Sequence, residues 1–288
     1  MTQPPWMHPD VRRAFNPERV VQVTPLLRRI TAPNPGMMTG PGTNTWLVGG
    51  DAVAVVDPGP DEPAHIERIA EAAEGRIRWI LVTHTHPDHS PGSRRLAELT
   101  GAPILGHWIR LQGISDTTFR PDVPMADGDR VCAGGFTLRA LHTPGHAANH
   151  LCFLLEEERI LIAGDQVMDR STVVISPPDG DMLAYLESLQ RLKTLGLEAI
   201  APAHGRLLKE PDKLLQNIID HRLEREAMVV EALEAGDQYI PDMVRRIYVD
   251  VPEALHRVAA GSVFAHLLKL RDEGRAVGDT REGPWALP

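Results

Sequence analysis

Two cysteines in 288 residues, Cys132 and Cys152, are too few for a disulfide framework and form no CxxC pair. Each lies in a strand-like run and reads as a small buried hydrophobe. Long apolar runs are missing too, and none approaches the roughly 20 residues that span a bilayer. The opening MTQPPWMHPDVRRAFNPERV has no continuous apolar centre of a secretory signal and carries Asp10 and Glu18, so a cytoplasmic chain is expected. Positive charge is also short, with 30 Lys and Arg against 39 Asp and Glu and a formal net charge of -9. That balance excludes a chain held on nucleic acid by a general positive field, while leaving room for a local basic groove. Internal repeats, low-complexity tracts and long linkers are absent from the sequence. What remains is ordinary for a globular chain able to bury a large core: 42% hydrophobic and 24% charged residues.

Through the first two hundred residues, short β-branched runs alternate with Gly/Pro-rich turns and a few helical stretches. This pattern predicts a sheet-rich α/β domain. Strands are expected at 45–48, 52–56, 77–82, 104–105, 136–141, 151–155, 159–163 and 199–200, with a hairpin around Glu156-Glu157-Glu158. A helix should follow His89, with Ser90 as N-cap, Pro91 in the first turn and Gly101 as the stop. Another is expected over 181–195, where Leu183, Leu186, Leu189 and Leu192 draw an apolar stripe. From Lys213 the character turns helical, so the domains are drawn as 1–209 and 210–288. The second part reads helix, short helix after Pro241, longer helix over 253–273, then a two-stranded wing of 275–277 and 284–287, the order of a winged-helix module.

The chemistry concentrates in His84-Thr85-His86-Pro87-Asp88-His89, directly after the apolar run 77–82. Four candidate metal ligands fall within six residues, and extended backbone aims alternate side chains at one point. Imidazole nitrogen and carboxylate oxygen suit zinc and, less selectively, iron or manganese. Three later segments share the form of an apolar run ending in a ligand beside glycine: His142-Thr143-Pro144-Gly145-His146, Ala163-Gly164-Asp165 and Ala203-His204-Gly205. A strand end holds such residues rigidly, and glycine lets the backbone turn beside them.

In order, HTHPDH, TPGH, AGD and PAHG resemble the motif series of the metallo-β-lactamase fold superfamily, as do Gly42 to Val48 and Val55-Val56-Asp57-Pro58-Gly59 upstream. The C-terminal His221-Arg222, Arg225-Glu226, Ile247 to Pro252 and Trp285 resemble the winged-helix appendage of the β-lactamase-like protein 2 branch. The resemblance implies an α/β fold, a four-layer αβ/βα sandwich with a small C-terminal winged helix. It implies His84, His86 and His146 on one metal, Asp88, His89 and His204 on a second, and Asp165 between them, with two Zn2+ as cofactors or iron or manganese in their place. It implies a bridging hydroxide as nucleophile, with Asp88 orienting it and His150 donating to the developing oxyanion or leaving group. His142 is expected to pack, and His8, His65, His107, His221, His256 and His266 to be structural or surface residues.

Two departures stand where a substrate would pass: Ser90-Pro91-Gly92 in place of a Gly-Gly pair, and Ala147-Ala148-Asn149 after TPGH. The expectation is a dinuclear zinc hydrolase acting on an ester-type bond. Its substrate would be a small acyl group or thioester, which the acidic balance favours, or single-stranded RNA, which the winged helix favours. Carboxylates outnumber Lys and Arg in that last segment, which argues against duplex binding. The alternatives are a lactam hydrolase, an iron-dependent persulfide dioxygenase and a non-catalytic metal-binding regulator. No membrane partner is expected, and a homodimer is compatible with the exposed helices.

Overall fold

The computed structural model describes residues 7–17, 19–109, 115–169, 172–249 and 251–288, so Glu18 and Asp250 of the segments above lie outside the described residues. The chain divides into two compact units. The first comprises Met1–Thr143, Asn149–Ser171 and Gly196–Pro211, and the second Pro144–Ala148, Thr172–Leu195 and Asp212–Pro288. The segments 144–148 and 172–195 thus cluster with the C-terminal residues.

In the first unit a short helix, α1 (Pro9–Ala14), precedes a seven-stranded sheet ordered β1 (Val21–Gln22), β2 (Leu27–Thr31), β3 (Asn44–Val48), β4 (Val53–Val56), β5 (Ile77–Val82), β6 (Ile104–Gly106) and β7 (Val123–Pro124). Pairing is antiparallel up to β4 and parallel from β4 to β7. Two helices carry the parallel crossovers, α2 (Pro63–Ala73) and α3 (Gly92–Thr100). A second sheet runs β12 (Ala199–Pro202), β11 (Ile160–Gly164), β10 (Leu151–Leu155), β9 (Phe136–His142) and β8 (Arg130–Ala133). Only β11 and β12 pair in parallel there.

Strands β3, β4, β10 and β11 are buried at every position. Period two explains why: Trp46, Val48, Ala54, Val56 and Leu81 face the second sheet, packing with Phe136, Phe153 and Ile162. Their neighbours Leu47, Val53, Val55, Ile80 and Val82 face the other way, against Ile66 and Ile69 of α2 and Leu96 of α3. A sheet covered on both faces needs apolar side chains on both, hence the continuous runs. The result is an α/β sandwich.

Several local expectations change. The expectations did not include strands β2 and β8 or helix α2, because Arg28, Arg29 and Arg130 interrupt the first two and the third carries only Ile66 and Ile69 as large apolar residues among alanines. Cys132 is exposed, because the edge strand β8 alternates and turns it outward, whereas Cys152 is buried. Helix α3 begins at Gly92 rather than on a Ser90 cap. The Ser90 hydroxyl instead donates to Asp116 Oδ2 at 2.9 Å.

The second unit contains α4 (Met182–Lys193), α5 (Pro211–Glu234), α6 (Ile240–Ile247) and α7 (His256–Asp272), with a 3-10 turn over Glu253–Leu255. Asp181 caps α4 by accepting from the Ala184 N–H. Val229, Leu233, Met243, Val244, Val263, Leu267 and the fully buried Trp285 form the core of this unit. The wing is a single antiparallel bridge, Val277 to Ala286, rather than a two-stranded ribbon. Pro284 has no N–H, and the Trp285 N–H goes to the Gln238 carbonyl at 2.8 Å, so no second rung forms. Among the described residues no helix is long and apolar enough to cross a membrane.

A buried ionic cluster lies in this unit. Glu226 Oε1 accepts from Lys269 Nζ at 3.0 Å and from Arg275 Nη1 at 3.2 Å, and His266 Nδ1 lies 3.5 Å from Oε2. Burial works against the Glu226 carboxylate, but His266 and Lys269 outweigh it and hold its pKa down to about 2. A depressed carboxylate stabilises the fold above its unfolded pKa near 4.5 and loses that contribution as pH falls toward 2. Chemical denaturation from pH 5 to 2.5 should show stability falling, and Glu226→Gln should flatten that dependence.

Candidate metal centre

The site is built at one edge of the first unit from strand ends and the turns after them. β5 ends at Val82, and the next seven residues run Thr83 to His89. The peptide N–H of Thr83 donates to Asp57 Oδ1 at 2.8 Å and its hydroxyl to Asp57 Oδ2 at 2.7 Å. Asp57, directly after β4, is 1% exposed and adopts the left-handed conformation at φ 50°. Its Oδ2 also lies 2.9 Å from His89 Nδ1. This aims Nε2 of a fully buried imidazole at the carboxylates of Asp88 and Asp165, 3.4 and 3.6 Å away. No hydrogen-bond partner is in place for His89 Nε2.

His204, after β12, sits similarly. Its Nδ1 is 3.4 Å from the Gly42 carbonyl, and its Nε2 is 3.2 Å from Asp165 Oδ1 and 3.3 Å from Asp88 Oδ2. Asp88 is held in turn by the Thr43 hydroxyl, which donates to Oδ2 at 3.0 Å. The ligand atoms of Asp88, His89 and His204 all lie within 4.8 Å of one another, and so do those of His84, His86 and Asp165. His84 Nε2 and His86 Nδ1 approach to 3.0 Å, while His84 Nδ1 lies 3.0 Å from the Thr83 hydroxyl.

Charge is tightly coupled here. Burial opposes protonation of His204, yet Asp165 and Asp88 outweigh it and raise its pKa to about 9. His89 is raised for the same reason, with Asp88, Asp165 and Asp57 overcoming burial. Conversely, Asp88 and Asp165 are held well below the usual carboxylate range by these imidazoles, against their own burial. Two carboxylates converge here with imidazole nitrogens, and without a metal the raised imidazoles balance them as protonated rings. A divalent cation would replace those protons and accept the Nε2 lone pairs they free, so the donor set fits a metal.

His150 is fully buried at the start of β10. Its Nε2 accepts from the Asp165 N–H at 3.2 Å, so a neutral ring carries its proton on Nδ1, 3.0 Å from the Thr143 hydroxyl. Gly164 leaves room for this ring: its φ is 50° and an added Cβ would meet His150 Nε2 at 2.7 Å. His146 lies on Pro144–Ala148 of the second unit, where its Nδ1 is 2.7 Å from the Val174 carbonyl. His142 is half-buried, with its ring centroid 4.7 Å from that of His107. His65 is buried with Nε2 3.0 Å from the Thr45 hydroxyl, and burial lowers its pKa to about 4.

Asp57 is the functional residue that sequence reasoning left without a role, although its Asp-x-Gly turn was visible. Beside the centre lies a cavity of about 230 Å³ reached from Thr85 and Asn149 and lined by Trp108, Asp116, Phe119 and Arg120. The Asn149 side-chain amide, 2% exposed, donates to the Thr85 hydroxyl at 3.1 Å.

Residues 38–204 match the metallo-β-lactamase superfamily, and residues 240–285 match the beta-lactamase associated winged helix domain. An atrochrysone carboxyl ACP thioesterase from Aspergillus chevalieri is 32% identical over 96% of this chain and 87% of its own length. A beta-lactamase-like protein 2 homolog of Caenorhabditis elegans is 30% identical over 89% of this chain and 88% of its own. A metallo-β-lactamase family protein from Thermus thermophilus aligns in structure with a TM-score of 0.74 at 23% identity, covering 93% of this chain and all of its own, a likeness of fold. The chain therefore belongs to the metallo-β-lactamase superfamily, as a metal-dependent hydrolase with a C-terminal winged helix.

Proposed function

We propose that the chain is a dinuclear zinc hydrolase of small acyl thioesters. In this reading His84, His86 and His146 would hold one zinc and Asp88, His89 and His204 the other, with Asp165 shared between them. The observation that carries the metal reading is the convergence of the buried Asp165 and the half-buried Asp88 carboxylates on His204 Nε2 and on a His89 Nε2 with no hydrogen-bond partner. The chemistry zinc would supply there is a water ionised near neutral pH and Lewis-acid polarisation of the carbonyl under attack.

The chain's own residues do the positioning. Asp57 and the Gly42 carbonyl take the Nδ1 sides of His89 and His204, which turns both Nε2 atoms inward. Asp88, whose Oδ2 accepts from the Thr43 hydroxyl, would orient the attacking water in this reading. In this reading His150 holds the Asp165 backbone, since its Nε2 accepts the Asp165 N–H, and the oxyanion role expected from sequence is the alternative that the His150→Ala variant tests. The cavity beside Thr85 offers Trp108 and Phe119 for an acyl group and Arg120 for a polar end. Its modest volume, the acidic net charge and the relative named as a thioesterase favour a small thioester over single-stranded RNA.

Elemental analysis should find two zinc ions per chain, and a panel of acyl thioesters, a lactam and single-stranded RNA should show turnover first on the thioesters. A wild-type protein without bound transition metal, or one that cleaves RNA alone, would overturn the respective half of the proposal. His150→Ala should lower metal retention together with turnover, by tenfold or more, since it orphans the Asp165 N–H. Lowered turnover with metal content intact would return the ring to contact with substrate.

A further inference from the structure

Helix α5 carries Arg222, Arg225 and Glu226, a polar cluster that the hydrolytic reading does not use. Two of these have tasks within the second unit: Glu226 anchors the ionic cluster above, and Arg225 donates from Nη1 to the Ile247 carbonyl at 2.9 Å with its guanidinium 4.7 Å over the Tyr248 ring. Arg222 is 3% exposed and points elsewhere. Its Nη2 donates to the Val173 carbonyl, and its guanidinium lies 5.4 Å from the Tyr185 ring centroid.

The next carbonyl along the chain, that of Val174, is the one beside His146 Nδ1. A buried cation on α5 therefore fixes the peptide adjoining the one whose carbonyl faces this imidazole. The rest of the 144–148 loop is held from the same unit: the Asp181 N–H donates to the Gly145 carbonyl at 2.8 Å, and the Ser188 hydroxyl donates to the Pro144 carbonyl at 2.8 Å. The Ala148 N–H donates to Asp179 Oδ1 at 2.9 Å. Gly145 has φ 139°, and an added Cβ would stand 2.4 Å from Tyr185 Cα, so the loop lies directly on α4. Helix α7 bears on the same segment, since a Cβ added at Gly261 would stand 2.8 Å from Ser176 Oγ.

We infer that Arg222 is a positioning residue for His146: by holding the 173–174 peptide it steadies the adjoining Val174 carbonyl against Nδ1–H and so directs the Nε2 side of the ring toward the proposed metal. The inference rests on the proposed ligand role of His146. It assigns the C-terminal helices a share in metal affinity, separate from any contact with substrate. An imidazole whose Nδ1–H loses its acceptor loses both its tautomer preference and its ring orientation, which ordinarily weakens metal binding about 10–100-fold.

The test compares wild type with Arg222→Met, Arg222→Lys and Gly261→Ala in the full chain. Zinc affinities of both sites are read by competition with a chromophoric chelator, the His146 tautomer by nitrogen NMR of the metal-free protein, and folding by thermal unfolding. In Arg222→Met one zinc equivalent should weaken about 10–100-fold while the other keeps its affinity, and His146 should lose its Nδ1–H preference. Arg222→Lys, which returns one donor, should recover part of both. Unchanged affinity at both sites, or equal weakening at both, overturns the inference. If Arg222→Met does not fold, Gly261→Ala is read the same way, with a smaller shift confined to one site and the His146 tautomer. A wild type that binds no zinc fells the metal reading, and the tautomer measurement still decides the positioning role.

Discussion

Asp165→Ala should leave a folded chain that has lost both metal and hydrolysis. The Asp165 side chain is 12% exposed, and its carboxylate lies 3.2 Å from His204 Nε2 through one oxygen and 3.6 Å from His89 Nε2 through the other. Removing it takes away the anion facing both imidazoles and, in the proposed centre, the group joining the two ions. Lewis-acid stabilisation of a transition state is worth several kcal/mol, so turnover should fall roughly a thousandfold or more. Elemental analysis and thioester turnover measured on the same preparation check this. Full turnover with two metals retained would sink the bridging role.

Asp57→Asn should disable one metal site with little disturbance of the fold. Asn can still accept the Thr83 N–H through its oxygen, but it presents an NH2 where the carboxylate faced His89 Nδ1. His89 Nδ1 must then accept, which moves the ring proton to Nε2, the atom proposed to bind metal. The substitution forces the wrong tautomer while conserving shape, and metal affinity at that site should drop about 10–100-fold. Asp57→Ala should be harsher. It also orphans the buried Thr83 N–H, adding about 1–3 kcal/mol of destabilisation in a denaturant titration. Two metal equivalents bound to Asp57→Asn with wild-type affinity would remove Asp57 from the centre.

Much of the centre was legible before folding. HTHPDH, AGD and PAHG each place their donors at a strand end, and both periodicity and glycine placement are local signals. Hence His84, His86, Asp88, His89, Asp165 and His204 were all singled out, and the described geometry gathers these six into two groups. Strand β2 was not legible, because Arg28 and Arg29 disguise it. Arg28 reaches the Ala72 carbonyl at 2.8 Å, and Arg29 reaches the Ala14 carbonyl at 2.8 Å and lies 4.2 Å from the Phe15 ring. Those partners are distant in sequence, so no window along the chain reveals why two arginines sit in a strand.

The same reason divides the whole protein. Sequence alone determined which donor atoms exist, their order and their place at the ends of apolar runs, since strand period and turn chemistry act over a few residues. Tertiary structure decided what each ring nitrogen faces: Asp57 behind His89, the Asp165 N–H on His150, the Val174 carbonyl beside His146. Hydrogen bonds of about 3 Å join residues 15 to 32 positions apart there, and only a folded backbone brings those atoms within reach.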